Sequence, residues 1–171
     1  DISWNVGKDT FDEGASRPES FKTHPNAAFG CYCVYINAAV EPLNDPRVRH
    51  AMHLVLEREA LIRVFEGQEQ MNLSRWVPRS NKFATPTEEI QTLPGYRPEK
   101  DEDIATAQAL MAEAGYPDGF GVQLDCPNNR YVNDEEICVA LARCRIDHAL
   151  LSWCRSDVAS VVAFDCARPL F

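Results

Sequence analysis

The clearest candidate for metal chemistry is a group of polar side chains in the first half of the chain. His50, His53 and Glu57 have spacings that place all three on one face of a helix predicted to begin at Pro46. Several divalent metals accept imidazole and carboxylate ligands. The sequence lacks a His-Glu-x-x-His motif, however, and such a trio opposite an apolar stripe is typical of a solvated helix face. We therefore predict no metal ligand and keep a metal-binding module or a metal-dependent enzyme as the alternative.

Cysteine is the second residue type that could carry chemistry. The seven cysteines are Cys31, Cys33, Cys126, Cys138, Cys144, Cys154 and Cys166. No two form a Cys-x-x-Cys pair, so the spacing favours neither a zinc ribbon nor a thioredoxin-type redox site. Cys31 and Cys33 lie too close along one predicted strand to bond each other well. Cys126 can pair in an oxidising compartment, but the sequence does not give its partner.

Composition excludes several classes of function. The formal net charge of -9 and the pI of about 4.9 oppose nucleic-acid binding, because an acidic surface repels phosphates. No apolar run reaches the roughly 20 residues that a membrane-spanning helix needs, and the first residues do not resemble a signal peptide. Because no nucleophile elbow or phosphate loop occurs, we predict neither an enzyme nor a cofactor.

The pattern along the chain indicates an order of strand, helix, helix, strand and helix. Residues 31–36 and 122–126 have the composition or alternation of strands. A helix is predicted to begin at Asp45-Pro46, with a break near Glu57 and with Val48, Met52 and Val55 as its apolar face.

Two further helices complete this pattern. One follows residues 101–103, with a core face of Ile104, Ala107, Met111 and Ala114, and the other begins at residues 133–136. The order of elements favours an α/β fold with helices packed on a sheet.

Two motifs resemble family 5 of the bacterial extracellular solute-binding proteins. The first consists of Asn37, Pro42, Asp45, Arg47, Val48, Arg49, Ala51, Glu57 and Arg58. The second is the run Ala-Glu-Ala-Gly-Tyr-Pro-Asp-Gly-Phe at residues 112–120. Both motifs have a physical meaning of their own, since one is a capped helix start and the other is a helix that ends at a glycine before a proline turn.

The resemblance implies a fold and a function. The fold is a fragment of a periplasmic-binding-protein-like (type II) lobe, with helices packed on a mixed sheet. The function is that of the substrate-binding component of an ABC importer, which captures a peptide or related small solute in the periplasm and delivers it to permease subunits in the membrane. In this family the loop after residues 122–126 borders the ligand cleft, so Asn128, Asn129 and Arg130 are the predicted ligand contacts.

The resemblance also predicts how the chain is divided. Residues 1–30 are an irregular lead-in, residues 31–142 are a partial solute-binding lobe, and residues 143–171 are a tail that does not match the family. Because the resemblance ends abruptly after Leu141 and four of the seven cysteines lie beyond residue 137, we hypothesise that a reading-frame shift or a truncated gene model produced this tail. A chain without an independent function is the third interpretation, since a partial lobe exposes strand edges and apolar faces.

Overall fold

The fold is known from a computed structural model, which describes residues 8–23, 32–64, 72–122, 124–127 and 133–143. These ranges contain six helices, which are α1 (Lys8–Ala15), α2 (Pro46–Val55), α3 (Arg58–Arg63), α4 (Thr87–Ile90), α5 (Asp101–Glu113) and α6 (Asp134–Arg143). The predicted break near Glu57 is confirmed, because α2 ends at Val55 and α3 begins at Arg58. Helix α1 lies within the stretch that the sequence predicted to be irregular.

The prediction of an α/β fold with helices packed on a mixed sheet is wrong for the described residues. Within these ranges no residue belongs to a β-strand, and the described parts of residues 31–36 and 122–126 are irregular. The sequence pattern reports a side chain's preference for a pleated surface, but a strand exists only when its backbone groups pair with a neighbouring strand. No such ladder forms in the described part of the chain.

The core lies between α2 and α5. Val48, Ala51 and Leu54 of α2 and Ala107 and Met111 of α5 are each at most 3% exposed and form one cluster. Burial of each of the larger side chains contributes about 1.5–3 kcal/mol. The predicted faces were nearly correct, since Val48, Ala107 and Met111 are central.

Three of the predicted core residues lie at the border of this cluster. Met52 and Val55 of α2 and Ala114 after α5 are partly buried and pack against it. The buried face of α2 is thus rotated by about one residue from the prediction.

The first helix start of the family motif is built as predicted. The Asp45 carboxylate accepts a hydrogen bond of 2.8 Å from the Arg47 backbone N–H, and Pro46 occupies the first turn. The Arg47 guanidinium also donates to Asp45, and this contact is the largest cause that lowers the pKa of Asp45. Arg47 Nη1 donates to the Glu113 carbonyl at 2.8 Å and so joins the start of α2 to the end of α5.

The second motif also has the predicted geometry. Gly115 follows α5 with a φ of 89° and Gly119 has a φ of 81°, a conformation that favours glycine. The Gly119 N–H donates to the Tyr116 carbonyl at 3.1 Å, which closes the turn at Pro117 and Asp118. The first motif therefore joins the start of α2 to the end of α5, and the second motif ends α5 and forms the turn that follows it.

Candidate functional site

The three residues of the metal hypothesis do not share one helix. His50 and His53 lie on α2, but Glu57 follows the end of this helix and stands before α3. No group of three or more His, Cys, Asp or Glu side chains suited to a metal ion occurs in the parts of the chain that the structure describes. The helical spacing on which this hypothesis depended ends at Val55, so the structure does not support it.

Both ring nitrogens of His53 contact protein groups. Arg58 Nη2 lies 3.0 Å from His53 Nδ1, and because a guanidinium can only donate, Nδ1 accepts this hydrogen bond. The proton of the neutral ring is therefore on Nε2, which lies 3.3 Å from the Pro94 carbonyl and donates to it. His53 is thus a structural link between α2 and the loop before α5, and neither nitrogen is left for a metal.

We expect His53 to make the fold sensitive to mild acid. Burial lowers the pKa of His53 below its ordinary value of 6.5, and the charges of Arg58, His50 and Lys100 lower it further, against the opposing bond to Pro94. Since the unfolded chain takes up this proton first, the stabilising contribution of neutral His53 is lost as the pH falls below the ordinary value. Urea unfolding should show a smaller free energy of unfolding at about pH 5.5 than at about pH 7.5.

The exposed neighbour His50 provides the control for this experiment. His53→Gln should reduce the pH dependence of the free energy of unfolding, because glutamine can form hydrogen bonds with both Arg58 and Pro94 without titrating. His50→Gln should change the pH dependence much less, because His50 is exposed and supplies only one of the smaller charges that lower the pKa of His53. Equal pH dependence in wild type and His53→Gln would show that His53 is not the titrating group.

Arg58 is the centre of the contacts around His53. Its Nη1 donates to the carbonyls of His53 at 3.2 Å, of Leu56 at 3.3 Å and of Gly95. Its guanidinium carbon lies 4.2 Å from the centre of the Tyr96 ring, as in a cation–π contact. Arg58 therefore ties the end of α2 and the start of α3 to the loop before α5.

A buried carboxylate completes this arrangement from α5. Asp103 is 2% exposed and accepts a hydrogen bond of 2.8 Å from the Gly95 N–H. Lys100 Nζ and Arg97 Nη1 each lie 3.6 Å from its oxygens, so the charge is paired on two sides. Lys100 also donates to the Leu54 carbonyl at 3.2 Å and to the Gly95 carbonyl at 2.7 Å.

We name His53, Arg58, Gly95, Lys100 and Asp103 the polar anchor. The sequence does not reveal it, because residues 101–103 have the pattern of an acidic helix start and Glu57-Arg58 stand out only as part of a motif. The turn signal Pro94-Gly95 was the one local indication that the backbone there takes an unusual conformation. The anchor has the contacts of a structural element, because its polar and charged groups form hydrogen bonds and ion pairs with one another.

An open cleft of about 550 Å³ lies beside the first motif. Its lining residues are Glu41, Pro42, Asn44, Asp45, Pro46, Arg47, Ala114 and Tyr116. Its polar groups are largely engaged with one another, since Tyr116 donates to Glu41 at 3.2 Å and Asp45 pairs with Arg47. The cleft therefore has the properties of scaffold.

A disulfide gives Cys126 the partner that the sequence left open. Cys126 and Cys138 are bonded, with their Cα atoms 6.1 Å apart, so that α6 is tied to residues 124–127. The same bond brackets the predicted ligand contacts Asn128, Asn129 and Arg130, which lie outside the described residues.

We expect this bond to contribute measurably to stability. Its ends are 12 residues apart, and a loop of this length corresponds to about 2–3 kcal/mol in the chain-entropy treatment. A dithiol reductant should lower the free energy of unfolding of the wild type by this amount. The double variant Cys126→Ala/Cys138→Ala should be destabilised already and should not respond further; an unchanged wild type under reduction would contradict this role.

Comparison with known proteins gives a consistent result. Residues 5–143 match the family described as bacterial extracellular solute-binding proteins, family 5 Middle. The glutathione-binding protein GsiB of Salmonella typhi is 32% identical over 96 residues, which are 56% of this chain and 17% of that protein. GsiB of Escherichia coli (strain K12) is 29% identical over 96 residues, with the same coverage. The chain thus spans 17% of the length of these curated relatives.

Proposed function

The chain belongs to family 5 of the bacterial extracellular solute-binding proteins, and from this membership we propose that it is part of the substrate-binding component of an ABC importer. The component captures a peptide or a related small solute and presents it to permease subunits in the membrane. This component binds a solute and does not catalyse a reaction. The observation that carries the proposal is the match over residues 5–143, within which both motifs build the helix pair described above.

The solute class is proposed from the relatives. The matched proteins are glutathione-binding proteins, and glutathione is a small peptide. This supports peptide-like solutes as the ligands to test first. The identity of 29–32% extends over 96 residues only, so the proposal names the class and not a single compound.

We place the function in the periplasm. Disulfides form and persist in oxidising compartments, and the Cys126–Cys138 bond supports such a location. Within the described residues no helix has the length and apolar character required to cross a membrane. The proposed location follows from the family and is compatible with this bond.

A thermal-shift screen tests the proposal. Glutathione, dipeptides, tripeptides, sugars and nickel are added to the purified chain, and a ligand that binds only the folded state raises the melting temperature. We expect a saturable rise with the peptides, since a ligand at about 100 times its Kd adds about 2.7 kcal/mol of stability. A cooperative melting transition that no peptide shifts would contradict the proposal.

The proposed ligand contacts can be tested with the same peptides. Amide and guanidinium groups bind carboxylates and carbonyls, so Asn128, Asn129 and Arg130 suit a peptide ligand. Arg130→Gln should weaken binding about tenfold, which is the effect of one charge-assisted hydrogen bond. Arg63→Gln removes an exposed arginine from α3 and is the matched control, for which we expect unchanged affinity.

A further inference from the structure

The segment before α4 exposes aromatic and basic side chains together. Trp76 is 73% exposed and Phe83 is 77% exposed, more than any other large hydrophobic side chain in the described ranges. Arg75, Arg79 and Lys82 alternate with them along the chain and are exposed as well. We name these five residues the 75–83 patch.

The charge of the 75–83 patch is opposite to that of the chain. The net charge of the protein is -9, yet residues 72–87 contain three basic residues and no acidic residue. None of the three basic side chains forms an ion pair in the portion of the chain that the structure describes. Lys82 Nζ lies 4.9 Å from the centre of the Phe83 ring, so cation and aromatic are already in contact. Within the described residues, the patch therefore combines three basic side chains that form no ion pair with two exposed aromatic side chains.

The backbone presents the 75–83 patch on a turn and not in a groove. The Asn81 N–H donates to the Pro78 carbonyl and the Ala84 N–H to the Asn81 carbonyl, each at 2.9 Å. The Asn81 side chain accepts a hydrogen bond of 2.9 Å from the Phe83 N–H. The cleft described above is lined by other residues. An exposed turn of this kind suits a broad partner surface that requires no matching pocket.

From these observations we infer that the 75–83 patch docks the protein on an anionic lipid surface. Trp and Phe side chains reside in the interfacial layer of a bilayer, and Arg and Lys side chains pair with lipid phosphates. The acidic remainder of the protein is repelled by the same surface, which orients the patch toward it. The inference requires no bound solute and therefore does not depend on the proposed function.

Vesicle co-sedimentation of the purified chain tests this inference. Vesicles of phosphatidylglycerol and phosphatidylcholine are compared with vesicles of phosphatidylcholine alone, at low and at high salt. We expect about tenfold stronger partitioning onto the anionic vesicles at low salt, and loss of this preference at high salt, because screening weakens charge contacts. The triple variant Arg75→Gln/Arg79→Gln/Lys82→Gln should lose the preference, whereas the double variant Trp76→Ser/Phe83→Ser should weaken partitioning onto the anionic vesicles.

A matched triple variant separates the patch from total charge. Arg17→Gln/Lys22→Gln/Arg63→Gln removes three exposed basic residues elsewhere and produces the same net charge. It should bind anionic vesicles more strongly than the patch triple variant does. Equal loss in both triple variants would overturn the inference, as would wild-type protein that does not prefer anionic vesicles. Binding of the patch to soluble polyglutamate but not to vesicles would also overturn it, in favour of an acidic protein partner.

Discussion

Asp103→Ala is expected to lower the free energy of unfolding by about 3–5 kcal/mol, the cost of removing one partner from a buried ion pair. The carboxylate is 2% exposed and lies 3.6 Å from both Lys100 and Arg97. Without it, the ammonium of Lys100, whose side chain is 15% exposed, loses its counter-charge and the Gly95 N–H loses its acceptor. Chemical denaturation at neutral pH, analysed by linear extrapolation, measures the difference.

The neighbouring carboxylate is a close control for this substitution. The side chain of Glu102 is 77% exposed and pairs with Arg97, so Glu102→Ala should cost less than about 1 kcal/mol. Asp103→Asn keeps an acceptor for Gly95 and should fall between the two alanine variants. If Asp103→Ala lowered the free energy of unfolding as little as Glu102→Ala does, the polar anchor would not stabilise the fold in the way described.

Gly95→Ala is expected to destabilise the chain by about 2–5 kcal/mol, for two reasons that add. The φ of 81° at Gly95 lies in the left-handed region, where a residue with Cβ loses about 1–2 kcal/mol. A Cβ there would also lie 2.6 Å from the His53 ring and 2.9 Å from the His53 carbonyl oxygen. Forcing these groups apart costs about 1–3 kcal/mol more, as in an overpacked core.

A comparison with Gly115 separates the steric part of this effect from the backbone part. Its φ of 89° is similar, but no atom lies within 4 Å of the position that its Cβ would occupy. Gly115→Ala should therefore show the backbone cost alone, about 1–2 kcal/mol. Thermal or urea unfolding of both variants measures the two losses in the free energy of unfolding. Equal losses would show that the close contact between Gly95 and His53 does not contribute to the effect.

The helices were predictable because their signals are local. Asp45 and Pro46 define the start of α2 within a few residues, and Gly115 defines the end of α5. The periodicity that placed Ala107 and Met111 in the core repeats within a single helix. Such features require only a short stretch of chain, which is why the sequence was sufficient for them.

The strands and the polar anchor were not predictable for the opposite reason. A strand depends on a partner elsewhere in the chain, so residues 31–36 suited a strand without forming one in the described residues. Asp103 is buried because Gly95 and Lys100 approach it, and an acidic residue at a helix start gives no local sign of this. The contacts that join α3, α5 and the loop before α5 can therefore be found only in the structure.

The same difference between local sequence signals and long-range contacts applies to the candidate site. The motifs identified the family, whereas the proposed contacts Asn128, Asn129 and Arg130 followed from the resemblance alone and stay a prediction. The disulfide between Cys126 and Cys138 connects the two sides of that segment, although no spacing rule could select this pair among seven cysteines.

We propose that this chain takes part in binding a peptide-like solute. Isothermal titration calorimetry of the purified, oxidised chain with glutathione and with a mixed set of tripeptides is the decisive experiment. We expect saturable heat from one site for at least one of these peptides, with an affinity that is weakened about tenfold by Arg130→Gln and unchanged by Arg63→Gln. A folded chain that gives no binding heat with any peptide, and whose melting temperature no peptide raises, would contradict it.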